Sequence, residues 1–298
     1  MKLLPGGVFG MGSERFYPEE RPCRRAAVDS FWIDETPVTN RQFAAFVEAT
    51  GYRTCAEVAP NPADYPGMDL SLAKPGSLVF VETSGPVDLR DFRRWWEFRL
   101  GAQWRRPSGD GSSLAELADH PVVHVSYADA LAYAAWAGKS LPTETEWEYA
   151  ARGGLAGAEF AWGDEFEPQG EVLANYWRGE FPWARQQPHR WNRTSPVRSF
   201  PPNGYGLYDM IGNVWEWTCD EYALPSARRA SAPCCGADAS PKRLASLVVK
   251  GGSHLCAASY CQRYRPAARS PQAADTSASH LGFRCIVREH AAASSAQS

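Results

Sequence analysis

The chain has 298 residues, a formal net charge of −3 and a hydrophobic content of 44%, all ordinary values for a soluble globular protein. The weak charge excludes a broad basic surface for nucleic acid or anionic lipid, and no apolar run of about 18 residues offers a membrane span. The 12 Trp, 12 Tyr and 13 Phe, set among 25 Gly and 23 Pro, predict a fold held together by ring packing between loops.

Eight cysteines occur in a chain whose first residues carry no apolar segment of the kind that directs export. We therefore expect a cytoplasmic protein with reduced thiols. No heptad pattern indicates assembly, so we expect a monomer.

The first elements are a strand and a helix. Residues 28–33 are rich in β-branched and aromatic side chains and predict the strand. Thr39 and Gln42 form a capping box, and apolar residues then recur on one helical face. Gly51 should end this helix.

The middle of the chain is irregular up to residue 120. Residues 91–98 are either a short helix or a set of tryptophans that anchor a long loop. Residues 121–125 predict a strand. Ser126 opens a weaker capping box, and with it a helix that should stop at Gly138.

A third helix is predicted with Thr143 as its N-cap and Gly153 at its end. Glu146 stands at the third helical position and completes a capping box. Glu144 and Glu148 are interpreted, with Glu146, as capping and solvated charges.

No long helix is predicted beyond that point. Residues 225–245 are rich in Ser, Ala and Pro and predict a surface excursion, residues 281–287 predict a closing strand, and residues 290–298 predict a disordered tail. The whole pattern is that of one α+β domain of low regular content, over residues 1–289.

The stretch with the strongest chemical signal contains Cys256 and Cys261, with four residues between them, behind a glycine pair. An electropositive setting favours thiolates, and three arginines follow the pair: Arg263, Arg265 and Arg269. Two thiolates suit Cu(I), Zn(II) or a redox disulfide, whereas two buried inert thiols are the alternative.

Several blocks of the chain together resemble the formylglycine-generating enzyme family, the sulfatase-modifying factors. The blocks include residues 37–43 (PVTNRQF), 120–126 (HPVVHVS), 136–144 (WAGKSLPTE), 212–217 (GNVWEW), 251–253 (GGS) and 282–284 (GFR). The segment from Gly251 to Arg265, GGSxxCxxSYCxRYR, is similar to the active segment of the family members that generate formylglycine. The resemblance implies a formylglycine-generating-enzyme fold, which is C-type-lectin-like.

The implied activity is that of a copper-dependent oxidase. It takes unfolded sulfatase polypeptides that carry Cys-x-Pro-x-Arg, and with O₂ and Cu(I) it converts their cysteine to Cα-formylglycine. The resemblance implies that Cys256 and Cys261 bind Cu(I), that Ser253 and Trp215 line an oxygen pocket, and that Tyr260 stands beside the second cysteine.

Calcium is the second implied metal. The resemblance assigns one site to the carboxylates of Asp209 and Glu216 with the carbonyls of Gly212 and Val214, a hard oxygen set.

A second calcium site would use Asn175 and the Tyr176 carbonyl. His189 takes the place of its acidic ligand.

Secreted relatives pair the position of Cys285 with that of Ala134, and the positions of Ala151 and Pro266 with each other. Three of these four positions are not cysteine here, which agrees with reduced thiols. Two alternatives to the oxidase stay open: a non-catalytic peptide-binding module of the same fold, and a zinc module, for which no second Cys/His pair is evident.

Overall fold

The computed structural model describes residues 1–186, 193–223 and 246–289. Within these ranges the regular helices are α1 (Asn40–Thr50), α2 (Tyr127–Trp136) and α3 (Glu144–Arg152). Each begins with the predicted capping box. Gly51 and Gly153 end α1 and α3 with φ of 66° and 59°, a conformation that glycine adopts without strain. The three helix predictions are confirmed.

The strands are short and lie mostly far apart in sequence. In chain order they are β1 (Lys2–Leu4), β2 (Gly7–Met11), β3 (Arg24–Val28), β4 (Phe31–Ile33), β5 (Gly76–Phe80), β6 (Trp96–Leu100), β7 (Gly179–Glu180), β8 (Ala184–Arg185), β9 (Trp215–Glu221), β10 (Ser246–Lys250), β11 (Arg269–Ala273), β12 (Leu281–Gly282) and β13 (Ile286–Arg288).

Two sheets organise the fold. The larger has the order β11-β10-β9-β12, antiparallel except for the parallel pair β9 and β12. The smaller has the order β1-β4-β13 and joins the two ends of the chain. Two-stranded ribbons β2-β3, β5-β6 and β7-β8 surround them. This is the predicted α+β architecture, with few helices and several small sheets.

Aromatic rings fill the core, as composition predicted. The Phe43 ring lies 5.2 Å from Trp104 and 5.9 Å from Tyr133. Such edge and stacked contacts bury large apolar areas without long regular elements. None of the described helices is long and apolar enough to cross a membrane.

Three strand predictions need correction. Residues 28–33 divide into β3 and β4, and residues 281–287 into β12 and β13. Residues 121–125 are not a strand. His124 has φ of 60°, outside the β region, and the backbone makes isolated hydrogen bonds to separate segments instead of the continuous ladder of a sheet. Of the two alternatives for residues 91–98, neither holds alone: a short 3-10 turn leads into β6. Residues 225–245 and 290–298 lie outside the described residues.

Candidate functional site

The cysteine segment is a loop between β10 and β11 in the larger sheet. Gly251 and Gly252 open it with φ of 91° and 70°. A Cβ on Gly251 would lie 3.0 Å from the Trp147 ring, and one on Gly252 would lie 2.6 Å from the Arg263 carbonyl oxygen. Both positions therefore require glycine, for the turn and for the close return of the loop on itself.

This loop brings the two thiols together. Cys256 Sγ and Cys261 Sγ are 3.2 Å apart. Cys256 is 2% exposed, whereas Cys261 is half-buried. The Cys256 N–H donates to the Ser253 carbonyl at 2.9 Å, and the Cys261 N–H donates to the Ala257 carbonyl at 2.7 Å. These backbone bonds help to hold Cys256 in the interior and Cys261 in a half-buried position.

The two thiols differ in acidity. Burial raises the pKa of the Cys256 thiol well above its ordinary value. The hydrogen bond with Cys256, together with the nearby charge of Arg263, lowers the pKa of Cys261. Cys261 is therefore the more acidic thiol of the pair.

An N-terminal segment, residues 16–20, clamps the far side of the loop. The Glu20 carboxylate binds both Nη atoms of Arg265, at 2.8 and 2.5 Å. Glu19 binds Arg263 at 2.7 Å, and the Arg263 guanidinium lies 4.0 Å from the centre of the Tyr17 ring. Sequence reasoning missed these partners because some 245 residues separate them from the loop.

Helix α3 anchors the loop on its other side. Lys250 Nζ, fully buried, lies 3.0 Å from Glu148 and 3.7 Å from Glu144. Glu144 also binds Arg269 at 2.7 Å, and Glu148 binds Arg152 at 2.7 Å. The interpretation of Glu144 and Glu148 as solvated charges is therefore wrong, since both pair with cations in the interior. Only Glu146 keeps the predicted capping role.

Aromatic side chains form a wall beside Cys261. Tyr260, 41% exposed, stacks on Phe181 with ring centres 4.7 Å apart and planes at 5°. Trp95 meets the Tyr260 ring edge-on at 5.5 Å. Phe80 and Trp177 pack behind Phe181. We call these five residues the aromatic wall. Tyr260, predicted to stand beside the second cysteine, is its member next to Cys261 in the chain.

Ser253 and Trp215 occupy different settings. Ser253 is buried next to Cys256, and its Oγ accepts the N–H of Leu255 at 3.2 Å. Trp215 begins β9 and belongs to the same hydrophobic cluster as Cys256. The backbone N–H of Trp215 donates to the His280 carbonyl at 2.9 Å.

The first implied calcium site brings two carboxylates together. Asp209 accepts the Arg198 N–H at 2.9 Å and the Asn213 amide at 3.3 Å, and burial raises its pKa to about 6. Glu216 is already paired, because Arg284 binds both of its oxygens at 2.7 and 2.9 Å. A hard cation therefore fits better beside Asp209 than beside Glu216, because no arginine side chain in the described ranges neutralises Asp209 as Arg284 neutralises Glu216.

The second implied calcium site is less defined. Asn175 Nδ2 donates to the Arg193 carbonyl at 2.9 Å. Tyr176 is buried and its hydroxyl binds Glu167 at 2.6 Å. His189 lies outside the described residues.

The remaining described cysteines, Cys23, Cys55, Cys219 and Cys285, form no disulfide within the described ranges. In the described part of the chain no three or more His, Cys, Asp or Glu side chains cluster as a metal site.

Comparison with known proteins gives concordant matches. A family model, described as a sulfatase-modifying factor enzyme 1-like domain, matches residues 1–289. A formylglycine-generating enzyme of Mycobacterium tuberculosis is 55% identical over 95% of this chain and 96% of its own length. An inactive Cα-formylglycine-generating enzyme 2 of Bos taurus is 40% identical over 96% of this chain and 87% of its own. The structure of PvdO from Pseudomonas aeruginosa has a TM-score of 0.62 at 24% identity, over 96% of this chain and 93% of that one, which speaks for the fold alone.

Proposed function

This chain belongs to the sulfatase-modifying factor family, in its prokaryotic type, and we propose that it converts a cysteine of sulfatase polypeptides to Cα-formylglycine. One observation carries the proposal: two thiols that form no disulfide stand 3.2 Å apart in a loop, one on a buried cysteine and the other on a half-buried one. A module that only bound peptides would not need this pair of thiols.

The pair fits Cu(I), because two close sulfurs are the soft donors that this ion prefers. Cys256 and Cys261 would hold the ion, which would supply the redox chemistry with O₂ that no side chain of the site can provide. Cys261, the less buried of the two, is the cysteine that an incoming substrate thiol would meet. Arg263 beside it stabilises negative charge on sulfur.

The protein's own contribution is placement. The Lys250 network and the Glu19–Arg263 and Glu20–Arg265 pairs hold both ends of the loop, so the sulfurs need little reorganisation when substrate arrives. Tyr260 is the exposed member of the aromatic wall, and its ring could contact an extended peptide such as Cys-x-Pro-x-Arg, while the four buried rings hold it in place. Ser253 and Trp215 are buried on the interior side of the thiol pair, and we propose that they line the pocket that O₂ occupies.

Calcium is proposed as a structural ion at Asp209, with the carbonyls of Gly212 and Val214 and the remaining lone pairs of Glu216. A second ion, held by the Asn175 side chain and the Tyr176 carbonyl, is proposed from the family resemblance alone. We further propose a monomer. We also propose that it acts in the cytoplasm, which agrees with the absence of disulfides among the described cysteines.

The alternative function is peptide binding without catalysis, and the match to an inactive relative supports it as the second candidate. A single experiment separates the two. Purified protein loaded with Cu(I) is incubated in air with a Cys-x-Pro-x-Arg peptide, and the peptide is weighed by mass spectrometry. Exchange of the sulfur for an aldehyde oxygen is expected.

Cys256→Ser and Cys261→Ser should each abolish the mass change. Cys23→Ser, which removes an exposed thiol, is the matched control and should retain it. No change of mass with the copper-loaded parent, or equal turnover in all three variants, would leave peptide binding as the function.

A further inference from the structure

A cavity of about 500 Å³ lies apart from the thiol pair. It is bounded by the start of α1, the loop that follows β6 and the segment 193–196, and none of its lining residues comes from the cysteine loop. Its volume falls within the range of small-molecule sites, roughly 300–1,000 Å³. Nothing in the proposed oxidation uses it.

Arg193 gives the cavity its charge. Its guanidinium is half-buried, and no acidic side chain pairs with it in the described ranges. Burial, followed by the charge of Arg99, lowers the pKa of Arg193, as expected for a cation without compensation. The one acid among the described lining residues is Glu116, which is exposed.

The position of Arg193 is fixed in advance. Its carbonyl accepts the Asn175 amide at 2.9 Å. The next residue, Thr194, is 3.0 Å from Nδ1 of the buried His120. The guanidinium is therefore carried on a held backbone, which lowers the ordering cost of binding a ligand.

The walls combine apolar surface with two unmet polar atoms. Leu117, Pro121 and Val123 supply apolar lining. Trp104 Nε1 and Asn40 Oδ1, on two further lining residues, are buried without hydrogen-bond partners within the described structure. Buried polar atoms of this kind are rare and costly, and each would gain a bond from an occupant that reached it.

From this arrangement we infer that the cavity binds a small organic carboxylate with a flat apolar body, its carboxylate held by Arg193. A guanidinium matches the two oxygens of a carboxylate in a fork geometry. The start of α1, at Asn40, adds the positive end of a helix dipole to the same space. The inference stands independently of the proposed oxidase function.

Benzoate is the test probe, with benzyl alcohol as its uncharged analogue and phenyl phosphate as the analogue with a different anion. Each is titrated in the millimolar range against the full chain, with ligand-observed saturation-transfer NMR as the readout. Benzoate should bind, and both benzyl alcohol and phenyl phosphate should bind more weakly.

Three variants locate the site. Arg193→Gln should weaken benzoate binding about tenfold or more, since it removes a charge-assisted pair. Glu116→Lys, a surface change that need not disturb folding, should strengthen benzoate binding several-fold. Arg90→Gln removes an exposed arginine elsewhere and should leave the affinity unchanged.

No binding of benzoate to the parent protein would overturn the inference. So would equal affinity for benzoate and benzyl alcohol, or an unchanged affinity in both Arg193→Gln and Glu116→Lys. Tighter binding of phenyl phosphate than of benzoate would replace the carboxylate by a phosphate ester as the ligand class.

Discussion

Replacing Lys250 by methionine should destabilise the protein by about 3 kcal/mol, because it removes one partner of a buried ion network. Lys250 Nζ is 3.0 Å from Glu148 and 3.7 Å from Glu144, with no exposed surface. Losing a partner of a buried pair costs about 3–5 kcal/mol. Both carboxylates keep an arginine, Arg152 or Arg269, so the lower end of the range applies.

Urea unfolding followed by tryptophan fluorescence measures this loss. Arg90→Ala, which breaks the exposed pair with Asp88, is the control and should leave the unfolding midpoint unchanged. In a double-mutant cycle, Lys250→Met with Glu148→Gln should lose less than the sum of the single changes, because the uncompensated charge is then removed. A loss below about 1 kcal/mol for Lys250→Met, or strict additivity, would refute the reasoning.

The same network makes the stability of the protein depend on pH in acid. Burial acts to raise the pKa of Glu148, but Lys250 and Arg152 hold it below its ordinary value. A carboxyl group whose pKa is depressed by folding stabilises the protein above its unfolded pKa, about 4.3, and this stability is lost as the pH falls. The difference between parent and Lys250→Met should therefore narrow below about pH 4.3.

In copper-free protein, Cys261 should react with iodoacetamide at a lower pH than an ordinary thiol. Arg263→Gln should raise the midpoint of that pH profile, and an unmoved midpoint would contradict the role of the Arg263 charge. A chelator should lower the melting temperature of the parent but not of Asp209→Asn, and equal melting of the parent with and without chelator would exclude the proposed calcium site. Tyr260→Ala should raise KM for the substrate peptide with little change in kcat, whereas Tyr260→Phe should keep the parent KM because the ring supplies the stacking; a lower kcat in the phenylalanine variant would count against a purely positional role.

Local signals were sufficient for the helices. Thr39, Ser126 and Thr143 cap α1, α2 and α3 as predicted, because a capping box closes within four residues and needs no distant partner. Strand predictions were weaker. Residues 121–125 have the composition of a strand, but their backbone bonds partners from two distant segments, near Val38 and Ala278.

The charges near the site were the least predictable from local pattern. Glu144 and Glu148 follow an N-cap on a helix, where acids are usually solvated. Their burial depends on Lys250 and Arg269, which arrive from the far end of the chain. The pairing of Glu20 with Arg265 likewise crosses almost the whole sequence.

The sequence by itself determined the thiol pair, its glycine turn and the family, because these lie in short motifs whose residues act on near neighbours. Only the tertiary structure decided that Cys256 is buried while Cys261 is half-buried, and that the loop is held by ion pairs from α3 and residues 16–20. The physical reason is burial: the acidity of a thiol and the pairing of a charge depend on the solvent and the partners that the fold supplies, which no local pattern contains.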